Sequence, residues 1–398
     1  MDVMYQKLMK NFTYPLEMSC LFENLLNEEN EKKKLEHQYL DKYQWPTFLQ
    51  ESSLSFSLGL DFNKWSQDYE NVYFIHWEGN FRDSYTADYF HITLESFKTI
   101  YQKTCILFDM FNLKKGDILC MFSPAIIQLP IIMTSAISSG IIFAPMSPEH
   151  YRNNIEIKEY LKNFPMPPKL FITIDTFYNG EEWIDCKDIL DKTIQSLKKY
   201  EDVKIIVIRH GGPHTGVPPP SYTHIGRRPN YNVSCLIIEG RDFRWGELMK
   251  NIKIPLTFKT FINKVKPSDI VLYVDCTYIN CLQFSILTSL HKILLEKECP
   301  SKNLHFVGAP SDCLFFITQI YTLITIKKAF LITECYINNS ERIKNIFSDY
   351  ELNSAGVIYH ILLEKEIIEL INSLQKVFIT SGDETSGLDK IVNKIIYS

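Results

Sequence analysis

Apolar and polar positions change period repeatedly along the chain, and each change marks a strand or a helix. VYFIHWEG (72–79) has the β-branched and aromatic content of a strand. Ile92–Phe111 places Leu94, Phe97, Ile100, Leu107, Phe108 and Phe111 at helical spacing. LKKGDILCMF (113–122) reads as a Gly-Asp turn running into an apolar strand, followed by a helix over Ala125–Ser138 and the strand GIIFAP (140–145). A helix over Asn153–Lys162 leads into PKLFITID (168–175), and a helix over Asp188–Lys199 into VKIIVIRH (203–210). The second half repeats the alternation. DIVLYVDC (269–276), NLHFVGAP (303–310), KAFLITEC (328–335) and LQKVFITSGDE (374–384) read as strands, with helices over Cys281–Leu295, Ser340–Asp349 and Leu362–Asn372. Strands alternating with helices predict an α/β fold with a mostly parallel sheet.

Two segments break this rhythm. Residues 1–66 are polar and helical in tone, with a charged run over Glu23–Glu36, and form a separate N-terminal helical or irregular segment. Residues 211–229 are rich in Pro and Gly and read as a surface loop. His210, His214 and His224 in and beside it raise a metal site, but their irregular spacing and the stiff prolines favour a solvated loop. The uncharged stretch 118–148 raises a membrane span. Pro124, Gln128, Pro130 and the Ser138-Ser139-Gly140 turn signal divide it into helix, turn and buried strand instead.

Composition narrows the picture further. With 398 residues, 45% apolar and 22% charged, the chain is rich enough in core residues to exclude wholesale disorder. A net charge of −5 argues against a nucleic-acid-binding surface spread over the chain. Ten cysteines without a CxxC pair read as reduced thiols of an intracellular, cytoplasmic protein, with no structural zinc site. Asp2 and Glu17 without arginine disfavour a signal peptide or a mitochondrial presequence. Local catalytic signals are weak. Asp383-Glu384 and Glu181-Glu182 are adjacent acids that point apart, Ser381 lacks the G-x-S-x-G setting of a nucleophile, and Ser147-Pro148-Glu149 reads as helix capping.

WEG (77–79), Phe90-His91-Ile92-Thr93, LKKGD (113–117), Gly140 and Met146-Ser147-Pro148-Glu149 resemble acetyl-CoA synthetase in order and spacing. So do PKLFITID, Cys186-Lys187 with Asp191, VKIIVIR (203–209) and, most tellingly, EGRDFRWGELMK (239–250). SLQKVFITSGDET (373–385) resembles the segment against which the family's adenosine packs. The resemblance runs over 67–398 and implies the layered α/β sheets of the N-terminal part of an adenylate-forming enzyme. It implies an AMP-forming ligase that joins acetate to CoA through an acyl-adenylate, with ATP, Mg and CoA as the bound partners. Gly382, Asp383 and Glu384 would be what remains of the adenosine pocket. The acetoacetyl branch is the runner-up, on Tyr178-Asn179-Gly180.

The departures from the family fall on the chemistry. Where the family carries a Tyr-Thr-Ser-Gly-Ser-Thr-Gly phosphate loop, this chain reads Tyr273-Val274-Asp275-Cys276-Thr277-Tyr278-Ile279, with no glycine between Gly246 and Gly308. A phosphate nest needs positive φ and close backbone approach, which β-branched and aromatic residues resist. Asp275 would repel a phosphate charge 4 Å away by roughly 4 kcal/mol at an effective dielectric near 20. Asn179 and Glu182 stand where the family's two CoA-binding arginines lie. Glu384 replaces a family proline, and the sequence stops before the Tyr…Thr-Glu motif, the ribose aspartate and the lysine-bearing C-terminal domain.

No residue is therefore expected to be catalytic or to bind a metal. The expectation is a degenerate relative without ligase activity that binds a partner, such as an intact paralogue covering a sheet edge left by truncation. The alternative is retained ligase activity with an atypical site or a separately supplied C-terminal domain.

Overall fold

Continuous apolar runs fit strands covered on both faces, and in the computed structural model they supply two sheets. The structure describes residues 56–57, 60, 73–79, 89–162, 164, 166–179, 182–200, 202–211, 235–255, 264–274, 277–298, 304–308, 310–334, 340–350, 352–358 and 376–380. In chain order the first half runs β1 (Phe56–Ser57), β2 (Tyr73–Glu78), β3 (Tyr89–Thr93), α1 (Leu94–Met110), β4 (Ile118–Phe122), α2 (Leu129–Ser138), β5 (Ile142–Met146) and α3 (Asn154–Lys162). Then follow β6 (Leu170–Ile174), β7 (Phe177–Tyr178), β8 (Trp183–Ile184), α4 (Cys186–Gln195), β9 (Lys204–Ile208), β10 (Asp242–Arg244), α5 (Trp245–Asn251) and β11 (Lys264–Val265). The chain continues with β12 (Ile270–Val274), β13 (Thr277–Asn280), α6 (Cys281–Glu298), β14 (Leu304–Gly308) and α7 (Leu314–Thr325). It closes with β15 (Phe330–Thr333), α8 (Ser340–Asp349), β16 (Leu352–Ile358) and β17 (Lys376–Thr380).

One sheet has seven strands in the order β10-β9-β6-β4-β5-β12-β13, and the other has six in the order β17-β16-β14-β15-β2-β3. Each is parallel except for an antiparallel strand at one end, β13 on β12 and β3 on β2. The alternation of the sequence thus does give mostly parallel sheets, in two layers. Every residue of β4, β5 and β6 is buried. Helix α2, read from sequence as helix rather than span, is buried along its whole length, and α7 nearly so. Among the described residues no helix is long and apolar enough to cross a membrane.

Turn chemistry sets the joints. Helix α1 starts at Thr93, whose side chain accepts from the Ser96 N–H at 3.1 Å. It ends in a Schellman turn, with Asn112 at φ 54° and Leu113 N donating to Phe108 O. Helix α3 is capped by Asn153, whose Oδ1 accepts from Ile155 and Glu156 N–H. Ser147, read above as a cap, instead closes its own turn. Its hydroxyl oxygen accepts from Glu149 N at 3.2 Å and its hydroxyl donates to the Glu149 carboxylate at 3.1 Å.

Candidate functional site

The carboxyl ends of the two sheets meet, and the meeting line is polar. Trp77 at the end of β2 donates from Nε1 to Ala125 O just past β4 (2.8 Å). Ala125 N donates to Glu334 O past β15, and Ser311 Oγ past β14 donates to Ser123 O past β4. Ser147 N, past β5, donates to Asp312 Oδ2 at 3.0 Å. In open α/β sheets, ligands bind outside the carboxyl ends of the strands, so this line is the candidate site.

Two histidine–carboxylate pairs span it. His150 Nδ1 lies 2.9 Å from Asp312 Oδ1, the carboxylate buried and the imidazole half-exposed. His210 Nε2 contacts Glu334 Oε1, both side chains buried, with the Trp77 ring edge-on to His210. Behind them Asp175 is a buried turn-former. Its Oδ1 accepts from the N–H groups of Thr176 (2.7 Å), His210 (2.8 Å) and Gly211 (2.8 Å), drawing the ends of β6 and β9 together. Gly211 is required there, since a Cβ would stand 2.9 Å from Thr176.

The Gly-Arg-Asp segment has a structural task. Lys187 Nζ on α4 lies 2.5 Å from Asp191 Oδ2 and 2.8 Å from Asp242 Oδ2, and also donates to Leu236 O. Arg241 contacts Asp191 Oδ1 and Asp242 Oδ1, each at 2.6 Å. Burial raises the Asp242 pKa, but donors from Arg241, the Ile238 N–H and Lys187 outweigh it and hold the carboxyl below its usual range. Two cations and two anions thus close on one another, joining the Cys186-Lys187, Asp191 and Gly-Arg-Asp matches into one clamp. Gly240, at φ 77°, makes the turn that enters it.

The phosphate-loop position is a hairpin. Val274 pairs with Thr277, Tyr273 with Tyr278 and Leu272 with Ile279, so β13 lies antiparallel against β12. Residues 275–276, and with them Asp275, lie outside the described residues. The Tyr273 ring is packed against Tyr278 (4.7 Å between centroids), Phe164 (4.5 Å) and Tyr160 (5.3 Å). On the side matched to CoA binding, Asn179 and Glu182 face each other across the β7–β8 hairpin. Glu182 N donates to Asn179 Oδ1 at 2.9 Å, and the Glu182 carboxylate stands 3.9 Å from Arg152.

Gly382, Asp383 and Glu384, with Ser381, His214, His224 and residues 1–55, lie outside the described residues. Among the described residues no group of three or more His, Cys, Asp or Glu could hold a metal ion. The sequence reading missed His150–Asp312 altogether and met His210 only as a possible metal ligand. The available signal was positional: each of these residues follows an apolar run by a few positions, where parallel strands deliver their ends.

The chain folds as two mostly parallel sheets. The fold is similar to a red-emitting luciferase from Phrixothrix hirtus, with a TM-score of 0.54 at 13% identity over 79% of this chain and 55% of the luciferase. In sequence the chain is similar to acetyl-coenzyme A synthetase from Pyrobaculum arsenaticum, 25% identical over 190 residues, 46% of this chain and 24% of that protein. It is similar also to the Drosophila melanogaster acetyl-coenzyme A synthetase, 23% identical over 201 residues, 48% of this chain and 26% of the relative. The matches thus span about a quarter of the length of these relatives. No family model matches the chain. Sequence and fold together point to the adenylate-forming superfamily.

Proposed function

We propose that this chain is a relative of acetyl-CoA synthetase without ligase activity, a cytoplasmic protein that keeps the scaffold in order to bind a protein partner, an intact paralogue being the first candidate. The observation that carries this reading is the β12–β13 hairpin. A phosphate cradle needs several backbone N–H groups pointing outward from a loop with positive φ. In the antiparallel β12–β13 pair successive N–H groups point to opposite sides of the strand instead of converging on one point, and the Tyr273–Tyr278 pair places aromatic bulk there. The lost glycines and the Asn179 and Glu182 replacements weigh in the same direction.

Isothermal titration of the full chain with ATP·Mg, and separately with a non-hydrolysable acetyl-adenylate mimic, tests it. No heat with either ligand at high micromolar concentration is the expected result. Micromolar binding of the mimic would instead mean that the adenosine pocket at Gly382-Asp383-Glu384 survives. Formation of AMP from ATP, acetate and CoA by the pure chain would overturn the reading.

A further inference from the structure

On one side the six-stranded sheet ends in β3, which pairs with β2 alone among the described residues. A strand at a sheet edge offers its outward N–H and C=O groups to any further strand, and charge, proline or shortness is what guards it. The other ends of the two large sheets are guarded. β10 carries Asp242 and Arg244, β17 begins with Lys376, and β13 is four residues long with Tyr278 held against Tyr273. β3 reads Tyr-Phe-His-Ile-Thr and contains no Asp, Glu, Lys, Arg or Pro.

Exposed apolar surface gathers on the same hairpin. Tyr73, Tyr89 and Phe90 are 49%, 41% and 42% exposed, three of the seven large hydrophobic side chains that stand out to solvent among the described residues. Tyr89 and Phe90 are neighbours on one strand and so point to opposite faces. On the Tyr89 face lies His91, whose ring packs against Tyr73 at 3.7 Å between centroids. On the other face Phe90 stands opposite Trp77 and in line with Ile92, both buried. Phe90 thus carries the core face out to the open edge of the sheet.

We propose that β3 is the docking edge for a second copy of this chain, the two β3 strands pairing antiparallel about a two-fold axis beside His91. The strand is complementary to itself. Two five-residue strands overlap along their full length only when the middle residue faces its own copy. That register sets Tyr89 against Thr93, Phe90 against Ile92 and His91 against His91. Aromatic and β-branched side chains facing one another make favourable cross-strand pairs, and no Asp, Glu, Lys or Arg of the strand meets a like charge in its copy. The contact is small. At about 200 Å² per aromatic side chain, Tyr89 and Phe90 uncover roughly 160 Å² in each copy. Even with the strand edges added, the total stays below the ~1,200 Å² of stable complexes. The dimer is therefore weak and reversible, and it goes beyond the partner reading above because it needs no paralogue.

Sedimentation equilibrium of the full chain from about 5 to 500 µM tests it. The weight-average mass should climb reversibly from that of a monomer toward that of a dimer across this range. A monomer at every concentration overturns the proposal. Phe90→Lys, which sets a charge on the edge, should move the curve at least about tenfold to higher concentration. An unmoved curve places the contact elsewhere and also overturns it. His91→Cys puts two thiols on the two-fold axis, and oxidation by diamide should join two copies through one disulfide. Wild type should stay a single chain under the same oxidant, as should Ile155→Cys at the exposed start of α3. A His91→Cys chain that associates in the centrifuge but gives no more cross-linked dimer than wild type refutes the pairing. Should Phe90→Lys fail to fold, the cross-link decides.

Discussion

His210, just past β9 of the seven-stranded sheet, bonds through Nε2 to Glu334, just past β15 of the six-stranded sheet. Both side chains are buried, so this is a direct polar bolt across the line where a ligand of this fold would lie. Removing one partner of a buried pair costs about 3–5 kcal/mol, because the other charge is left unpaired. His210→Ala should therefore lower the urea midpoint markedly, whereas Glu334→Gln, which keeps a hydrogen-bonding group, should cost less. Equal losses from the two would show that the pair contributes no specific link.

The clamp around Lys187 makes a second expectation. Lys187→Met leaves Asp191 and Asp242 sharing Arg241 alone and should destabilise by about 3–5 kcal/mol. Arg241→Lys removes the two-pronged contact and should fall between wild type and Lys187→Met. Chemical denaturation with one common m value would measure both. A Lys187→Met chain as stable as wild type would mean that the Gly-Arg-Asp match has no structural task here.

Acid should weaken the fold through a buried histidine. Burial and the nearby His91 lower the His76 pKa from 6.5 to about 4. The unfolded chain takes up that proton below about pH 6.5, its ordinary value, while the folded chain does so only near pH 4. Stability is thus full above pH 6.5 and falls as pH drops from 6.5 toward 4. Urea midpoints measured across that window should decline, and His76→Gln should make the decline shallower, leaving the part that His291 and His305, also lowered by burial, contribute. Asp242 acts lower, since its depressed pKa supplies stability that persists above the ordinary carboxylate range and disappears below it.

Lys327 holds a left-handed backbone, φ 60°, without being glycine. An L side chain in that region costs roughly 1–2 kcal/mol. Lys327→Gly should raise stability by about 1 kcal/mol, less what the more flexible unfolded chain takes back. A calorimetric Tm that falls instead would show that the Lys327 side chain contributes more than its backbone strain costs.

Much of this architecture was legible in the sequence because local pattern decides it. Apolar runs such as ILCMF and LFITI are buried on both sides and read as strands without help. Ser340–Asp349 came out with the same ends in sequence and structure. Strand β3 was absorbed into the helix that follows it, since Ile92 continues the helical spacing and only pairing with β2 reveals the strand. The same holds for β13 and β16. TYIN is short and half-exposed, and LNSAGVI holds Asn, Ala and Gly, all poor strand formers. Their strand identity comes from β12 in one case and from β14 and β17 in the other.

The sequence by itself determined the α/β class, the two-sheet relationship implied by the acetyl-CoA synthetase resemblance, and the want of glycine at the phosphate-loop position. These are properties of composition and of neighbours along the chain. What only the tertiary structure decided are the cross-sheet pairs, His150 with Asp312 at a separation of 162 residues and His210 with Glu334 at 124. Such groups meet because strand ends from different parts of the chain are stacked at one edge of a sheet. No local period encodes that meeting, since the free energy that enforces it comes from burying the apolar strands and helices behind it.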